Sequence, residues 1–320
     1  MTAHSLKEVK AQFQRQGIYH TDNELARMMR SYLPDYVRDV YDPTCGRGAL
    51  LAEFAADVPK YGQELEREFL DDCYDRLENF TGAVGDTLAA PAFTDRKFHA
   101  IVANYPFSIP WTPKVDERFE SAPTIPTKSR ADYAFILHCL HYLADDGTAA
   151  IMAFPGVLYR QQREGIIREW LVKQNYVDRV AHIPGGYFED TTVAVCVLVL
   201  KKQRDTTDII FEDWENGVCV KASQDEVARN GFNLAVSTYT SDALAVNERD
   251  DIDIVALNDD IRRLAVDNLR RALEAEIMLA AIDSTRPPVS EMIDELQVAI
   301  DEARNTAETI ERHMKPKTLT

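Results

Sequence analysis

The sequence predicts an α/β fold with a mostly parallel sheet, helices on both faces, an antiparallel pair at one edge and a helical C-terminal tail. Short apolar runs alternate with helical patterns between residues 37 and 202, as expected for strand–helix–strand units. The last two runs have no helix between them, because Pro184-Gly185-Gly186 joins them directly. After residue 246 the apolar spacing becomes purely helical.

These changes of pattern divide the chain into four predicted segments. In the first, Thr21 or Asp22 is expected to cap a helix that turns Leu25, Met28 and Met29 inward. The segments are an N-terminal helical lead (1–36), a central α/β domain (37–202), a small sheet extension (203–245) and a helical, coiled-coil-like tail (246–320).

The central domain follows strand and helix signals in turn. Runs of β-branched and aromatic residues predict strands, and apolar residues spaced by three and four predict helices. The predicted strands are 37–41, 61–65, 83–86, 98–104, 149–154, 176–183 and 192–200, with a further short strand at 208–212. The predicted helices are 49–56, 69–77, 133–143 and 166–173.

The tail contains a heptad seam. Its apolar residues alternate steps of four and three without a slip, which is typical of coiled coils. One interpretation is that the seam docks on the helices of a partner, and the other is a self-contained hairpin with residues 254–279. The seam residues are Val289, Ile293, Leu296, Ile300, Ala303, Ala307, Ile310 and Met314.

Composition excludes several classes of protein. The net charge is −17, which argues against strong nucleic-acid binding by this chain alone, because phosphate contacts need lysine and arginine. Residues 251–314 hold 15 acidic and 7 basic side chains, a net of −8. No stretch of 18 apolar residues predicts a membrane span. The polar start and the five scattered cysteines favour a cytoplasmic protein with reduced thiols.

Candidate binding residues follow the predicted strands, where ligands bind in open α/β sheets. Asp42-Pro43-Thr44-Cys45-Gly46-Arg47-Gly48 follows the first strand, and its two glycines allow a close backbone approach to a ligand. Taken alone, this stretch is equally typical of a structural turn. Glu64 follows the second strand and is placed to bind ribose hydroxyls, although a lone surface carboxylate is the simpler interpretation.

The next two strand ends add a carboxylate and an amide. Asp86 ends the third strand and is able to accept a hydrogen bond from an amino group. The fourth ends in Asn104-Tyr105-Pro106-Phe107, a polar amide beside a proline and two aromatic rings. This combination is unusual for a core and indicates a site for a flat, polar ligand.

In this order, the four strand ends resemble the signature of S-adenosylmethionine-dependent amino methyltransferases. Residues 17–202 more closely resemble the catalytic domain of the modification subunit of type I restriction-modification systems. The resemblance implies a Rossmann-like fold and transfer of a methyl group to the exocyclic N6 amine of adenine in DNA. The matching stretches are 17–22, 42–51, 61–65, 85–88, 102–107 and 154–168, with Gly231-Phe232-Asn233-Leu234 and Tyr239 further on.

The resemblance also implies which residues bind the cofactor S-adenosylmethionine. Glu64 is expected at the ribose hydroxyls and Asp86 at the adenine amine. The other residues are expected around the methionine part: Asp42, Pro43, Gly46 and Gly48 line it, and Tyr19 and Thr21 of the N-terminal lead close over it.

Asn104, Tyr105, Pro106 and Phe107 are the implied catalytic residues. The adenine amine is a poor nucleophile, and the side-chain oxygen of Asn104 and the main-chain carbonyl of Tyr105 would accept its two hydrogen bonds. The family has proline at position 105, but a tyrosine keeps the carbonyl. Pro106 restrains the residue before it, and Phe107 stacks on a base that has left the duplex. No metal or general base is required.

The residues around this corner supply basic side chains. Lys114, Lys128, Arg130 and Arg160 are candidate phosphate contacts, as is Arg118, and an idle solvated loop is the alternative. His138-Cys139-x-His141 has metal-ligand residue types, but it lies in an apolar helical pattern that favours a core position. We therefore expect no metal site.

The sequence supports one function over two alternatives. The expected protein is an S-adenosylmethionine-dependent adenine-N6 DNA methyltransferase, the catalytic subunit of a restriction-modification-like complex. Target recognition is expected to be delegated to a specificity subunit docked on the helical C-terminus. One alternative is a methyltransferase for a protein glutamine or an RNA amine, which use similar corners. The other is a non-catalytic binding subunit that retained the fold, against which the intact Asn104, Pro106 and Gly46 argue.

Overall fold

A computed structural model of the protein describes residues 23–186, 193–248 and seven separate positions between 263 and 297. The strands are β1 Val40–Asp42, β2 Lys60–Glu64, β3 Phe80–Val84, β4 Phe98–Asn104, β5 Leu143–Ala153, β6 Val177–Ile183, β7 Val195–Lys201, β8 Ile209–Asp213 and β9 Val218–Ala222. The helices are α1 Asn23–Ser31, α2 Arg67–Arg76, α3 Glu117–Glu120, α4 Asp132–Tyr142, α5 Arg163–Lys173, α6 Gln224–Arg229 and α7 Ser237–Glu248.

The strands form a nine-stranded sheet in the order β3-β2-β1-β4-β5-β7-β6-β8-β9. Neighbouring strands from β3 to β5 are parallel, which confirms the predicted α/β class. The chain runs outward from β1 to β3 on one side and continues from β4 on the other. The order therefore reverses between β1 and β4, and such a switch point opens a crevice at the carboxyl ends of the two strands.

The predicted antiparallel pair is present, but it does not lie at the edge. β7 is antiparallel to β6 and also to β5, so it is inserted between them. The sheet then continues, because β8 pairs with β6 and β9 pairs with β8. Alternate residues of β8 are buried, Ile209 and Phe211 among them, and the pairing of β8 with β6 covers the edge of β6.

The predicted helix at 49–56 is wrong. Only a 3-10 turn, Leu51–Glu53, forms there, and Phe54 is already extended. Leu50, Leu51 and Phe54 are buried, so a single turn is enough to place all three side chains in the core. The chain must also reach the start of β2 at residue 60 within a few residues. β3 begins three residues earlier than predicted.

The core lies on both faces of the sheet. Residues around the whole circumference of α4 are buried, which explains why its sequence is apolar on every side. On α1, Leu25, Met28 and Met29 are buried as predicted. The central strands β4 and β7 are also buried along almost their whole length.

The chain forms two compact units, residues 1–247 and 248–320. The first contains the sheet. In the second, Glu248 and the seven separate described positions are helical, and most of the predicted heptad seam lies outside the described residues. No helix in the described part of the chain is long and apolar enough to cross a membrane.

Candidate active site at the carboxyl ends of the strands

The residues that follow β1 and β4 meet at the switch point of the sheet. Tyr41 of β1 is paired with Ile101 of β4, and β1 ends one residue later, at Asp42. β4 continues to Asn104, which is paired with Met152 of β5. The predicted cofactor turn and the predicted catalytic corner therefore lie on neighbouring strands at one edge of the sheet.

Asp42 is a buried carboxyl group, with 2% of its surface exposed. Burial is the main reason that its pKa is raised to about 7. The backbone N–H of Thr44, 2.9 Å from Oδ1, lowers the pKa, and the charge of Glu64 raises it. Asp42 consequently changes charge near neutral pH and is placed to respond to a cation.

The two glycines after β1 have different surroundings. Gly46 has a φ of +51°, and a Cβ added there would meet no atom within 4 Å, so the backbone borders open space. Gly48 has a φ of +80°, and a Cβ there would lie 2.8 Å from Leu77 Cδ1 and 3.1 Å from Cys73 Sγ. Gly48 lets α2 pack against the turn, whereas Gly46 leaves room for a ligand.

Glu64 fixes the turn after β1 to the end of β2. Its Oε2 accepts a hydrogen bond from the N–H of Gly46 at 2.9 Å. Its Oε1 accepts from the N–H groups of Leu65 and Glu66 at 2.8 and 3.1 Å. The carboxylate that was predicted to bind ribose is therefore held in place by three backbone donors.

Asp86 is the second residue of the loop between β3 and β4 (the β3–β4 loop, residues 85–97). The residue is exposed, and its Oδ1 accepts from the N–H groups of Leu88 and Ala89 at 2.8 and 3.2 Å. Thr87 Oγ1 donates to the carbonyl of Pro43, which joins this loop to the turn after β1. The predicted cofactor residues of three strand ends are thus linked by hydrogen bonds.

The predicted catalytic corner is built on a layer of buried aromatic rings. Tyr105 is fully buried and stacks on Phe135, with ring centroids 4.8 Å apart. Phe107 packs against Phe154, with centroids 4.5 Å apart, and meets Tyr105 edge to face. The tyrosine that replaces the family's proline therefore points into the core, and Asn104 remains partly exposed above it.

An acidic residue that was not predicted from the sequence bonds to the residue after this corner. The N–H of Ser108 donates to Oδ1 of Asp132 at 3.4 Å. Asp132 is fully buried, and burial raises its pKa, against which the charge of Arg160 acts. An acid at the start of an otherwise apolar helix is a signal that would have identified it.

The predicted phosphate contacts differ in exposure. Lys114, Lys128 and Arg130 are exposed. Arg160 is partly exposed and lies 3.6 Å from Glu164, which also lies 3.4 Å from Arg130. The buried Glu164, another residue missed from the sequence, thereby holds two arginines near one another at the surface.

Arg118 is not available to phosphates, which corrects the expectation from the sequence. Its guanidinium group is buried and bonded to Asp116 and to the carbonyls of the β3–β4 loop. His138 is also buried, between Arg118 and the hydroxyl of Tyr41. A core position for His138 is therefore confirmed.

Two predicted site residues lie outside the described residues. Tyr19 and Thr21, which were expected to close over the cofactor, precede the first described residue. Within the described ranges, no group of three or more histidine, cysteine, aspartate or glutamate side chains has the geometry to hold a metal ion.

Comparison with known proteins identifies relatives of the whole sheet. A family model described as N-6 DNA Methylase matches residues 6–217. The chain is 35% identical over 237 residues to the type I restriction enzyme MpnII methylase subunit of Mycoplasma pneumoniae, covering 65% of this chain and 44% of that protein. It is 24% identical over 224 residues to the HindI methylase subunit of Haemophilus influenzae, covering 64% and 51%. The chain thus spans about half the length of the curated relatives it matches.

Solved structures share the fold. The methyltransferase subunit of a type I restriction-modification system from Streptococcus thermophilus superposes with a TM-score of 0.62 at 25% identity, over 69% of this chain and 58% of that one. A modification subunit of a putative type I restriction enzyme from Vibrio vulnificus gives a TM-score of 0.54 at 16% identity, over 76% and 65%. The second likeness concerns the fold alone.

Proposed function

Because the chain belongs to the N-6 DNA methylase family, we propose that it transfers a methyl group from S-adenosylmethionine to the N6 amine of adenine in DNA. The observation that carries the proposal is the meeting of two features at the switch point of the sheet. One is the turn after β1 with its open space at Gly46. The other is the corner at the end of β4 that begins with Asn104.

The residues around the turn fit this cofactor. Asp42, with its pKa near neutral, suits the positively charged methionine end. Glu64 and Asp86 supply carboxylate oxygens at the next two strand ends, for the ribose hydroxyls and the adenine amine. Pro43 and Gly48 complete the turn, and Tyr19 and Thr21 are proposed to close over it. When bound, the cofactor supplies a methyl group activated by its sulfonium.

The corner holds the adenine amine so that its nitrogen is able to attack the methyl group. The side-chain oxygen of Asn104 and the main-chain carbonyl of Tyr105 each accept a hydrogen bond from an N–H of the amine, which keeps the nitrogen lone pair available. Pro106 restrains the carbonyl before it. Phe107, braced by Phe154 at 4.5 Å between centroids, contacts the face of the flipped base. Positioning supplies most of the rate enhancement.

DNA reaches the site over the basic surface beside this corner. Lys114, Lys128, Arg130 and Arg160 are proposed to contact phosphates, with Glu164 holding the two arginines in place. The net charge of −17 works against such contacts, so a partner is proposed to supply further basic surface and the base readout. Relatives named as methylase subunits support an assembly of this kind.

The test is methyl transfer by the purified chain with and without a co-expressed specificity subunit. N6-methyladenine is expected in the digested DNA by mass spectrometry, and only methylcytosine, or no product on DNA, would contradict the proposal. The variant Asn104→Ala tests the role assigned to this side chain. It should lose about 10²–10³ in rate and keep its cofactor affinity within about a few-fold, because its side chain is assigned to the base.

A further inference from the structure

Three successive carbonyl oxygens of the β3–β4 loop accept hydrogen bonds from the long loop that follows β4 (the β4–α4 loop, residues 105–131). Arg118 Nη1 donates to the carbonyl of Thr87 at 2.8 Å, and Arg118 Nη2 donates to that of Leu88 at 2.7 Å. Lys114 Nζ donates to the carbonyl of Ala89 at 3.4 Å. Two cations of one loop therefore hold the backbone of the other.

The position of Arg118 is closely determined. Its side chain is almost fully buried, and Nε and Nη2 bond to the carboxylate of Asp116 at 2.9 and 2.6 Å. Nη1 also lies 3.2 Å from Nδ1 of His138. A buried guanidinium is tolerated only when its donors are satisfied, so Arg118 does not move independently of the carbonyls that it binds.

The same backbone segment is bonded to a residue of the proposed cofactor site. The N–H of Leu88 donates to Asp86 at 2.8 Å, while its carbonyl accepts from Arg118. Asp86 is the residue assigned to the adenine of the cofactor. One residue therefore connects the carboxylate at the cofactor to the arginine of the β4–α4 loop.

The other end of this connection reaches the DNA side. Phe119, next to Arg118, packs against Trp111 with ring centroids 5.4 Å apart. The N–H of Trp111 donates to the carbonyl of Lys128 at 3.0 Å. The contacts thus run without a gap from Asp86 to Lys128, one of the residues proposed to meet a phosphate.

We propose that Arg118 is a positioning residue that couples cofactor binding to the ordering of the β4–α4 loop. Occupation of the cofactor site fixes Asp86 and the carbonyls behind it, and Arg118 passes this constraint to the loop that contacts DNA. Because coupling between binding sites is reciprocal, bound DNA strengthens cofactor binding by the same factor by which bound cofactor strengthens DNA binding. The inference rests on the proposed function, since it needs the cofactor at Asp86.

Hydrogen exchange of the full chain, with and without saturating S-adenosylmethionine and without DNA, tests the coupling. In the wild type, the cofactor should slow amide exchange in both loops, by about tenfold or more. In Arg118→Gln, the β3–β4 loop should still be protected at saturation, while protection of the β4–α4 loop falls to less than about twofold.

Arg204→Gln is the matched control. Arg204 is equally buried and bonds to Asp178, Asn175 and the carbonyl of Asp208, at the amino ends of β6 and β8 and away from the site. It should lower the melting temperature without changing the cofactor-dependent exchange. If Arg118→Gln fails to melt cooperatively, Arg118→Lys, which keeps the charge but loses the fork, should show intermediate protection of the β4–α4 loop.

Two outcomes separate this inference from the function on which it rests. If the wild-type chain binds no cofactor by calorimetry, the proposed function fails and the coupling fails with it. If the cofactor binds but leaves the β4–α4 loop unprotected, or protects it equally in the variants of Arg118, the coupling alone is wrong.

Discussion

Asp42 combines burial with a position at the end of β1, where the proposed cofactor lies. Its pKa of about 7, set mainly by burial, means that the group is partly protonated at neutral pH in the free protein. A cation placed beside it favours the carboxylate and lowers this pKa. Binding of the cationic cofactor is therefore expected to release a proton from Asp42.

The first prediction is that cofactor affinity rises with pH as Asp42 ionises, from about pH 6 to about pH 8. Calorimetry in buffers of different ionisation enthalpy should show about one proton released per cofactor at pH 6 and less at pH 8. Asp42→Asn should bind more weakly and release less. Equal proton release by wild type and Asp42→Asn would assign the proton to another group.

The second prediction concerns Tyr105, whose buried hydroxyl has no hydrogen-bond partner among the described residues. Tyr105→Phe should leave the free energy of unfolding unchanged or raise it by up to about 1 kcal/mol, because a buried hydroxyl without a partner costs free energy. Tyr41→Phe is the control. It loses a contact of 3.0 Å with His138 and should lower stability by about 1 kcal/mol. Urea denaturation measures both, and a larger loss in Tyr105→Phe would contradict this account.

At the scale of elements, the turn between β1 and β2 has a ligand side and a packing side. Gly46 borders open space, whereas Gly48 faces Cys73 on α2 and Leu77 directly after it. Both have positive φ, so any other residue costs about 1 kcal/mol or more at either position. The two glycines are thus distinguishable by what a side chain would meet.

The third prediction separates these two roles. Gly48→Ala should lower the free energy of unfolding by about 1–3 kcal/mol, because its methyl group must displace α2 in addition to the strain of φ. Gly46→Val should abolish cofactor binding while the circular dichroism spectrum stays that of the wild type, because its side chain enters the proposed cofactor space. Unchanged cofactor affinity in Gly46→Val would remove the turn from the site.

At the scale of the whole molecule, charge opposes the proposed substrate. The net charge is −17, and residues 251–314 account for −8 of it. Phosphate repulsion is strongest at low salt, where screening is weakest. Docking of a specificity subunit on the predicted helical tail therefore stays a prediction, which truncation of the tail tests.

The fourth prediction is that deleting residues 285–320 abolishes partner-dependent DNA methylation but leaves cofactor binding intact. The reason is that the proposed cofactor site lies at the sheet, within residues 1–247. Methylation assays and calorimetry on the truncated chain provide the two readouts. If truncation lowers cofactor affinity and the melting temperature together, the tail stabilises its own chain instead. Nanomolar, sequence-specific DNA binding by the purified chain alone would also contradict the need for a partner.

Local sequence pattern located most strands of the sheet and the residues that follow them, although it missed β9 and placed the start of β5 six residues too late. β4 was predicted with its observed bounds, and β2 and β6 within one residue, because buried strands are read from local runs of apolar residues. The carboxylates and glycines after each strand were found for the same reason. Their meeting at one edge follows from the parallel order, which local pattern and topology rules already imply.

How these residues are used depends on contacts between segments that are distant in the chain. Arg118 and Lys128 are both cations of the β4–α4 loop. Arg118 is buried against the β3–β4 loop, whereas Lys128 is exposed. The difference depends on carbonyls about thirty residues away in the chain, which no local pattern encodes. The pKa of Asp42, the insertion of β7 between β5 and β6, and the final strand β9 were equally hidden. Burial, hydrogen-bond satisfaction and the covering of open strand edges are properties of the assembled fold, because they depend on which distant segments come together.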